Sequence, residues 1–209
     1  RGYRPSHNAA PLRETLAAAL VILSRYRGRD DFADPFCGSG TIPIEAALIA
    51  RNIAPGLNRR FAAMDWRTLR PEIWQAEREA AVAREYHGDY RILGSDIDPK
   101  AIAMAKANAE RAGISDLIRF EVADAAGFAR TTERGVIVTN PPYGERIGEK
   151  QEAEELYRRF GAAWRETENW QLYLLSSHTE FERCFGREAD KKRKLYNGMI
   201  KCDLFMYFK

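Results

Sequence analysis

Apolar residues recur along this chain in two rhythms. Leu12, Leu16, Leu20 and Leu23 fall at helical spacing and predict a helix over 11–26, with Pro11 suited to its first turn. A short strand is expected over 31–34, then a turn punctuated by Gly38 and Gly40, then a helix over 41–50. Residues 51–70 carry Pro55, Gly56 and several aromatics without periodicity and read as an ordered insertion, followed by a helix over 71–87 that Pro71 opens. The connection between the first and second strands therefore covers 51–90. Strands are expected over 91–96, 118–123, 135–139 and 171–177, separated by helices over 99–112 and 152–166. Gly113 stops the first of these helices. A hairpin closes the chain: 194–199 pairs with 203–208, with Asn197-Gly198 as the turn signal.

This alternation predicts an α/β class. The expected architecture is Rossmann-like and doubly wound, a mostly parallel seven-stranded sheet with an antiparallel terminal hairpin strand, all in one domain over 1–209. Folds of this kind bind ligands beyond the carboxyl ends of their strands.

Composition narrows the classes. A 45% hydrophobic content supports a packed core. The longest apolar run, 16–23, is too short to cross a bilayer, so no membrane partner is expected. Cys37, Cys184 and Cys202 form neither a disulfide framework nor a zinc spacing, which favours a reducing, cytoplasmic compartment. His7, His87 and His178 have no partner at ligand spacing, so no metal is expected. The formal net charge of +3 is too small to argue for nucleic acid by itself. Local clustering is stronger: 183–201 holds seven basic residues against Glu188 and Asp190. Its run Lys191-Lys192-Arg193-Lys194 fits a phosphate-contacting segment and a solvated loop equally, and Arg59 and Arg60 allow the same two readings. Trp66, Trp74, Trp164 and Trp170 are expected to pack in the core or the insertion.

The chemistry concentrates at predicted strand ends. Asp34-Pro35-Phe36-Cys37-Gly38-Ser39-Gly40-Thr41 leaves a strand and enters a helix. Gly38 and Gly40 carry no Cβ where a ligand must approach backbone, the helix start offers N–H groups to an anion, and Asp34 offers a carboxylate to a cation. A ligand bearing both ammonium and carboxylate matches that pairing. A phosphate-binding P-loop is disfavoured because no lysine follows Gly40, and a dinucleotide fingerprint because Pro43 stands where its third glycine belongs. Asp96, ending the second strand, is suited to two ribose hydroxyls, with Ile97 beside it to cover an adenine face. Asp98, before Pro99, reads as a helix N-cap. Asp124, ending the third strand beside Ala125, is suited to accept from an adenine amino group. Cys37 reads as a small packed residue rather than a nucleophile.

After the fourth strand comes Asn140-Pro141-Pro142-Tyr143. The two prolines remove two donors and stiffen the chain. The Asn140 side-chain oxygen and the Pro141 carbonyl remain as rigid acceptors for the two hydrogens of an exocyclic aromatic amine. Tyr143 is suited to stack on the base. This is positioning and electrostatics rather than covalent catalysis.

With these motifs in view, the chain resembles the class I S-adenosylmethionine-dependent methyltransferases that modify exocyclic amines of nucleic acid bases. It is most similar to the THUMP-containing bacterial 23S rRNA guanine-N2 methyltransferases. The likeness rests on Arg1–Arg4, Ala10–Ala17, Asp34–Thr41, Ala54–Arg59 and Asn140–Arg146. It implies S-adenosyl-L-methionine as cofactor, held by Asp34, Pro35, Phe36, Gly38, Ser39, Gly40, Thr41, Asp96, Ile97, Asp124, Ala125 and Asn140. It implies Asn140, Pro141, Pro142 and Tyr143 as the catalytic segment, and 23S rRNA as partner. The opening at Arg1 leads us to expect a fragment from which the RNA-binding THUMP domain is missing. Three other readings stay open: an N6-adenine DNA methyltransferase, a protein glutamine-amide methyltransferase, and a catalytically silent RNA-binding module.

Overall fold

A computed structural model of the chain describes residues 2–3, 12–144, 149–167 and 169–208. Arg1, Arg4, His7, Ala10, Pro11, Glu145 and Arg146, named above, lie outside the described residues. The elements in chain order are α1 (Glu14–Leu23), β1 (Asp31–Asp34), α2 (Thr41–Ala50), α3 (Pro71–Val82), β2 (Ile92–Asp96), α4 (Pro99–Ala112), β3 (Ile118–Val122), β4 (Gly135–Thr139), α5 (Glu149–Arg165), β5 (Trp170–Ser176), α6 (Phe181–Phe185), β6 (Lys191–Asn197) and β7 (Ile200–Tyr207). Seven strands form one sheet in the order β3-β2-β1-β4-β5-β7-β6. The first five are parallel; β7 runs antiparallel between β5 and β6.

The central strands are buried throughout, as strands covered on both faces must be: all four residues of β1 and all five of β4 are inside. One face carries Phe32, Val136, Val138, Tyr173, Leu175 and Leu204 against α1, α2 and α4. The other carries Ile137, Leu172, Leu174, Phe205 and Tyr207 against the α5 residues Tyr157, Phe160 and Trp164 and the α6 residues Phe181 and Phe185. Local chemistry sets the helix ends. Asp98 accepts from the Lys100 N–H at 2.8 Å, Pro99 begins α4, and Gly113 ends it in the left-handed region.

Several boundaries differ from the sequence expectation. Helix α6 was not foreseen, because five residues hold too little periodicity to read. The Lys191–Lys194 run is not a loop but the start of edge strand β6. That strand is solvated on both sides over its first half, so no apolar alternation marks it. The hairpin turn is centred on Gly198-Met199, one residue later than the Asn-Gly reading, since Asn197 pairs with Ile200. Gly198 at φ +65° takes the first central place of a type II′ turn. The insertion leaves the sheet after α2 and rejoins it at β2, at the amino edge, and α3 buries no residue. There Phe61 stacks on Trp74, whereas Trp66, expected to pack, is 61% exposed.

Candidate active site

A cavity of about 710 Å³ opens at the carboxyl edge of the sheet. Residues from six segments distant in sequence line it: Pro35, Phe36 and Gly38; Asp96 and Ile97; Asp124 and Ala125; Asn140–Gly144; Glu149, Leu156 and Arg159; and Asn197 and Ile200.

The turn after β1 forms one side. Gly38, at φ +51°, has open space where a Cβ would stand, and its N–H donates to the Asp96 carboxylate at 2.9 Å. That bond fastens the turn to the end of β2. The other Asp96 oxygen accepts from the Asp98 N–H at 3.0 Å, and a carboxylate still keeps lone pairs for hydroxyl donors. Ile97, 70% exposed, presents an apolar flank beside it. Asp124 accepts from the Ala126 N–H at 2.9 Å and from Arg159 of α5 at 2.7 Å. The backbone bond to Ala126 first, and the Arg159 guanidinium with it, hold the Asp124 carboxyl below its ordinary range.

Four residues expected to meet the ligand do not line this cavity: Asp34, Ser39, Gly40 and Thr41. Asp34 is buried behind the turn, where one carboxylate oxygen accepts from Thr139 Oγ1 at 2.6 Å and from the Phe36 N–H at 3.2 Å. Burial, opposed by those two bonds, raises its pKa from 3.8 to about 7. Gly40, at φ +79°, is glycine for a packing reason: a Cβ there would stand 2.9 Å from the Ala105 Cβ of α4. Ser39 turns its carbonyl to Asn108 Nδ2 at 2.9 Å, and Thr41 is buried at the start of α2, so that helix end is covered rather than open to an anion. Cys37 is buried, and desolvation pushes its thiol well above the ordinary range, which keeps it protonated.

The segment after β4 forms the opposite side. The Tyr143 hydroxyl donates to Asn140 Oδ1, leaving that oxygen a second lone pair. The Tyr143 oxygen lies 3.5 Å from Asn197 Nδ2 and 3.6 Å from Cys202 Sγ, so β6 and β7 both back the tyrosine. The Tyr157 hydroxyl of α5 donates to the Pro142 carbonyl. Burial raises the pKa of both phenols, Tyr157 to about 12, so each keeps the proton it donates. Tyr143 is half-buried against the core on the hairpin side, with its hydroxyl turned to Asn140.

Sequence reasoning missed Asn197, Ile200, Leu156, Tyr157 and Arg159. Leu156 and Arg159 lie three apart on α5 and face the cavity, while Tyr157 faces the core. The Asn-Gly hairpin signal could have pointed to Asn197, had the hairpin tip been assigned to the carboxyl edge.

The chain is similar along its length to known methyltransferases. The family described as UPF0020, RMKL-like, methyltransferase domain, matches residues 1–205. "Putative RNA methyltransferase YpsC" of Bacillus subtilis is 48% identical over 209 residues, covering all of this chain and 54% of that protein. "Ribosomal RNA large subunit methyltransferase K/L" of Shewanella baltica is 43% identical over 214 residues, covering 99% of this chain and 30% of that protein. The chain thus spans about half, or less, of the length of these curated relatives. Among solved structures, "SMU.472, a putative methyltransferase complexed with SAH" superposes with a TM-score of 0.93 at 38% identity, covering 99% of this chain and 54% of its own. A "predicted N6-adenine-specific DNA methylase" from Listeria monocytogenes superposes with a TM-score of 0.92 at 44% identity, covering 99% and 53%.

Proposed function

The chain belongs to the RMKL-like methyltransferase domain family (UPF0020), and on that premise we propose that it transfers the methyl group of S-adenosyl-L-methionine to the exocyclic amine of a nucleic acid base, guanine N2 of 23S rRNA. The observation that carries this reading is the single cavity shared by Gly38, Asp96, Ile97 and Asp124 on one side and Asn140–Tyr143 on the other. The first group suits a nucleoside with an amino-acid tail; the second suits a planar amine.

The residues fit the cofactor. Asp96 has lone pairs left for ribose hydroxyls, and exposed Ile97 gives the adenine an apolar face. Asp124, held ionised by Ala126 and Arg159, accepts from the adenine amine. Pro35, Phe36 and Gly38 leave room for the methionine end, and Ala125 lines the same cavity beside Asp124. Asp34, Ser39, Gly40 and Thr41 act from behind, fixing the turn's shape. When bound, S-adenosyl-L-methionine supplies an electrophilic methyl group on a sulfonium.

The chain's own part is to orient the acceptor. Asn140 Oδ1 and the Pro141 carbonyl would accept the two amine hydrogens, which orients the nitrogen lone pair toward a bound methyl donor. As the nitrogen becomes positive, the same two oxygens stabilise it, and one proton then leaves to solvent. Tyr143 holds Asn140 Oδ1, and Tyr157 steadies the loop by donating to the next carbonyl, that of Pro142. The target base must be drawn out of its stack to reach them. RNA is the partner by kinship with relatives named as rRNA and RNA methyltransferases.

A second reading, N6-adenine methylation of DNA, is favoured by the name of the Listeria structure. Both bases present an exocyclic amine. The test is to incubate the whole protein with isotopically labelled S-adenosylmethionine and either unmodified rRNA or genomic DNA, then identify the labelled nucleoside by mass spectrometry. N2-methylguanosine in RNA is expected. N6-methyladenine in DNA would overturn the substrate assignment, and RNA binding without cofactor binding would leave a silent module.

A further inference from the structure

Beyond the residues that hold cofactor and amine, the tip of the β6–β7 hairpin carries a feature no step has used. Strand β6 runs parallel to β1, so the Gly198-Met199 turn stands at the same carboxyl edge as the cavity. The residues flanking the turn, Asn197 and Ile200, line the cavity, and Asn197 touches Tyr143, on the side away from Asp96 and Asp124. Between them Met199 is 97% exposed, an unbranched apolar side chain held out from a two-residue turn. A turn of this kind holds its tip rigidly, because Gly198 supplies the positive φ and the flanking residues pair. Below the tip, Lys191, Arg193 and Lys194 stand exposed along the sheet edge, and Tyr196 is 65% exposed.

A purine in a stacked strand enters a pocket only if the stack parts, and apolar side chains, methionine among them, serve as wedges between bases. We propose that Met199 is an unstacking wedge: it enters the base stack where the target purine has left, while the basic rim of β6 holds the neighbouring phosphates. This rests on the nucleic-acid reading above. Met199 sits beside the half of the cavity that takes the base, which is where a wedge must stand and where a merely solvated residue need not be. It touches substrate without touching the reacting atoms.

The test uses the whole protein and two synthetic RNA stems. In one the acceptor base is paired and stacked; in the other its opposing nucleotide and both flanking nucleotides of its own strand are abasic, so little unstacking is needed. Met199→Ser should lower kcat/KM on the paired stem about tenfold, the scale of one lost base-stacking contact. It should leave the abasic-opposed stem within about twofold of wild type, and Met199→Leu should restore the paired stem. A 2-aminopurine next to the acceptor should brighten on binding of wild type and Leu variant but not of Met199→Ser. Since the side chain is exposed, folding is unaffected. A Met199→Ser enzyme equal to wild type on the paired stem, or equally impaired on both stems, overturns the wedge. Wild-type transfer to adenine instead of guanine would refute the guanine assignment alone, because the wedge is then read on the adenine stem; transfer to protein would overturn both.

Discussion

The cofactor side of the cavity is built at the ends of three neighbouring parallel strands, whereas the target side is braced by α5 and by the terminal hairpin, outside those strands. Gly38 binds Asp96, 58 residues on but at the end of the adjacent strand, while Asp96 binds Asp98 and Asp124 binds Ala126 within one turn. Asn140–Tyr143 instead lean on Tyr157, 15 residues on from Pro142, and on Asn197, 54 residues on from Tyr143. The lesson is that one side is specified mainly by the pairing of adjacent parallel strands, which brings their ends together. The other is specified by how α5 and the terminal hairpin pack, so it is the side that a distant substitution can disturb.

Asn140→Ala against Asp96→Ala is the sharpest way to separate the two sides. Removing the amine acceptor should lower transfer by about a hundredfold or more, the scale of losing one preorganised polar contact in an active site. Cofactor affinity, measured by calorimetry, should stay within about twofold in that variant. Asp96→Ala should do the reverse, weakening cofactor binding about tenfold or more through lost hydrogen bonds to a charged group. It should also loosen the turn, because Gly38 loses its acceptor. If Asn140→Ala weakens cofactor binding as much as it slows transfer, the two sides are one unit.

Asp34 is where the sides meet. It accepts from Thr139, the residue before Asn140, and from the turn at Phe36. Its carboxyl is raised from 3.8 to about 7 by burial, so the folded state holds the proton more tightly than the unfolded chain. The stability this contributes is complete below pH 3.8 and is lost as pH rises toward 7. Relative to Asp34→Asn, the wild type should therefore lose stability across that window, by on the order of 4 kcal/mol for a fully buried group. Denaturant melts of both proteins at several pH values give the difference directly. Parallel stability curves would mean that Asp34 titrates normally and does not bind the sides together under strain.

How much of this was legible in the sequence follows the same division. The acids at 34, 96 and 124, the cap at Asp98 and the Asn-Pro-Pro-Tyr segment are local patterns, and Asp98 caps α4 as its pattern implies. Gly40 looked like a place for a ligand to approach, yet its neighbour is Ala105, and no local pattern reveals which helix packs on a turn. Asn197 and Ile200 were out of reach for a stronger reason. Their approach to the cavity depends on β7 inserting between β5 and β6, a register that a basic, two-sided solvated strand does not announce. Tyr157 is a core residue that no motif singles out, and that its hydroxyl reaches the Pro142 carbonyl depends on the packing of α5.

Tyr157→Phe gives the smallest effect and the most telling one. The ring packs edge-on against Phe181 with centroids 5.0 Å apart, and phenylalanine keeps that contact. Only the donor to the Pro142 carbonyl is lost, with a weaker approach to Ser176 at 3.4 Å. A single buried hydrogen bond of this kind contributes about 1 kcal/mol to stability, so a modest fall in melting temperature is expected. A merely structural tyrosine would stop there. If the hydroxyl positions the acceptor loop, kcat should also fall several-fold at saturating cofactor and RNA, while cofactor affinity is unchanged, because the loss is confined to the target side. Equal kcat in the two proteins would show that Pro141 and Pro142 stiffen the loop enough by themselves, and that the distant bracing of this side is redundant at α5 and rests on the hairpin alone.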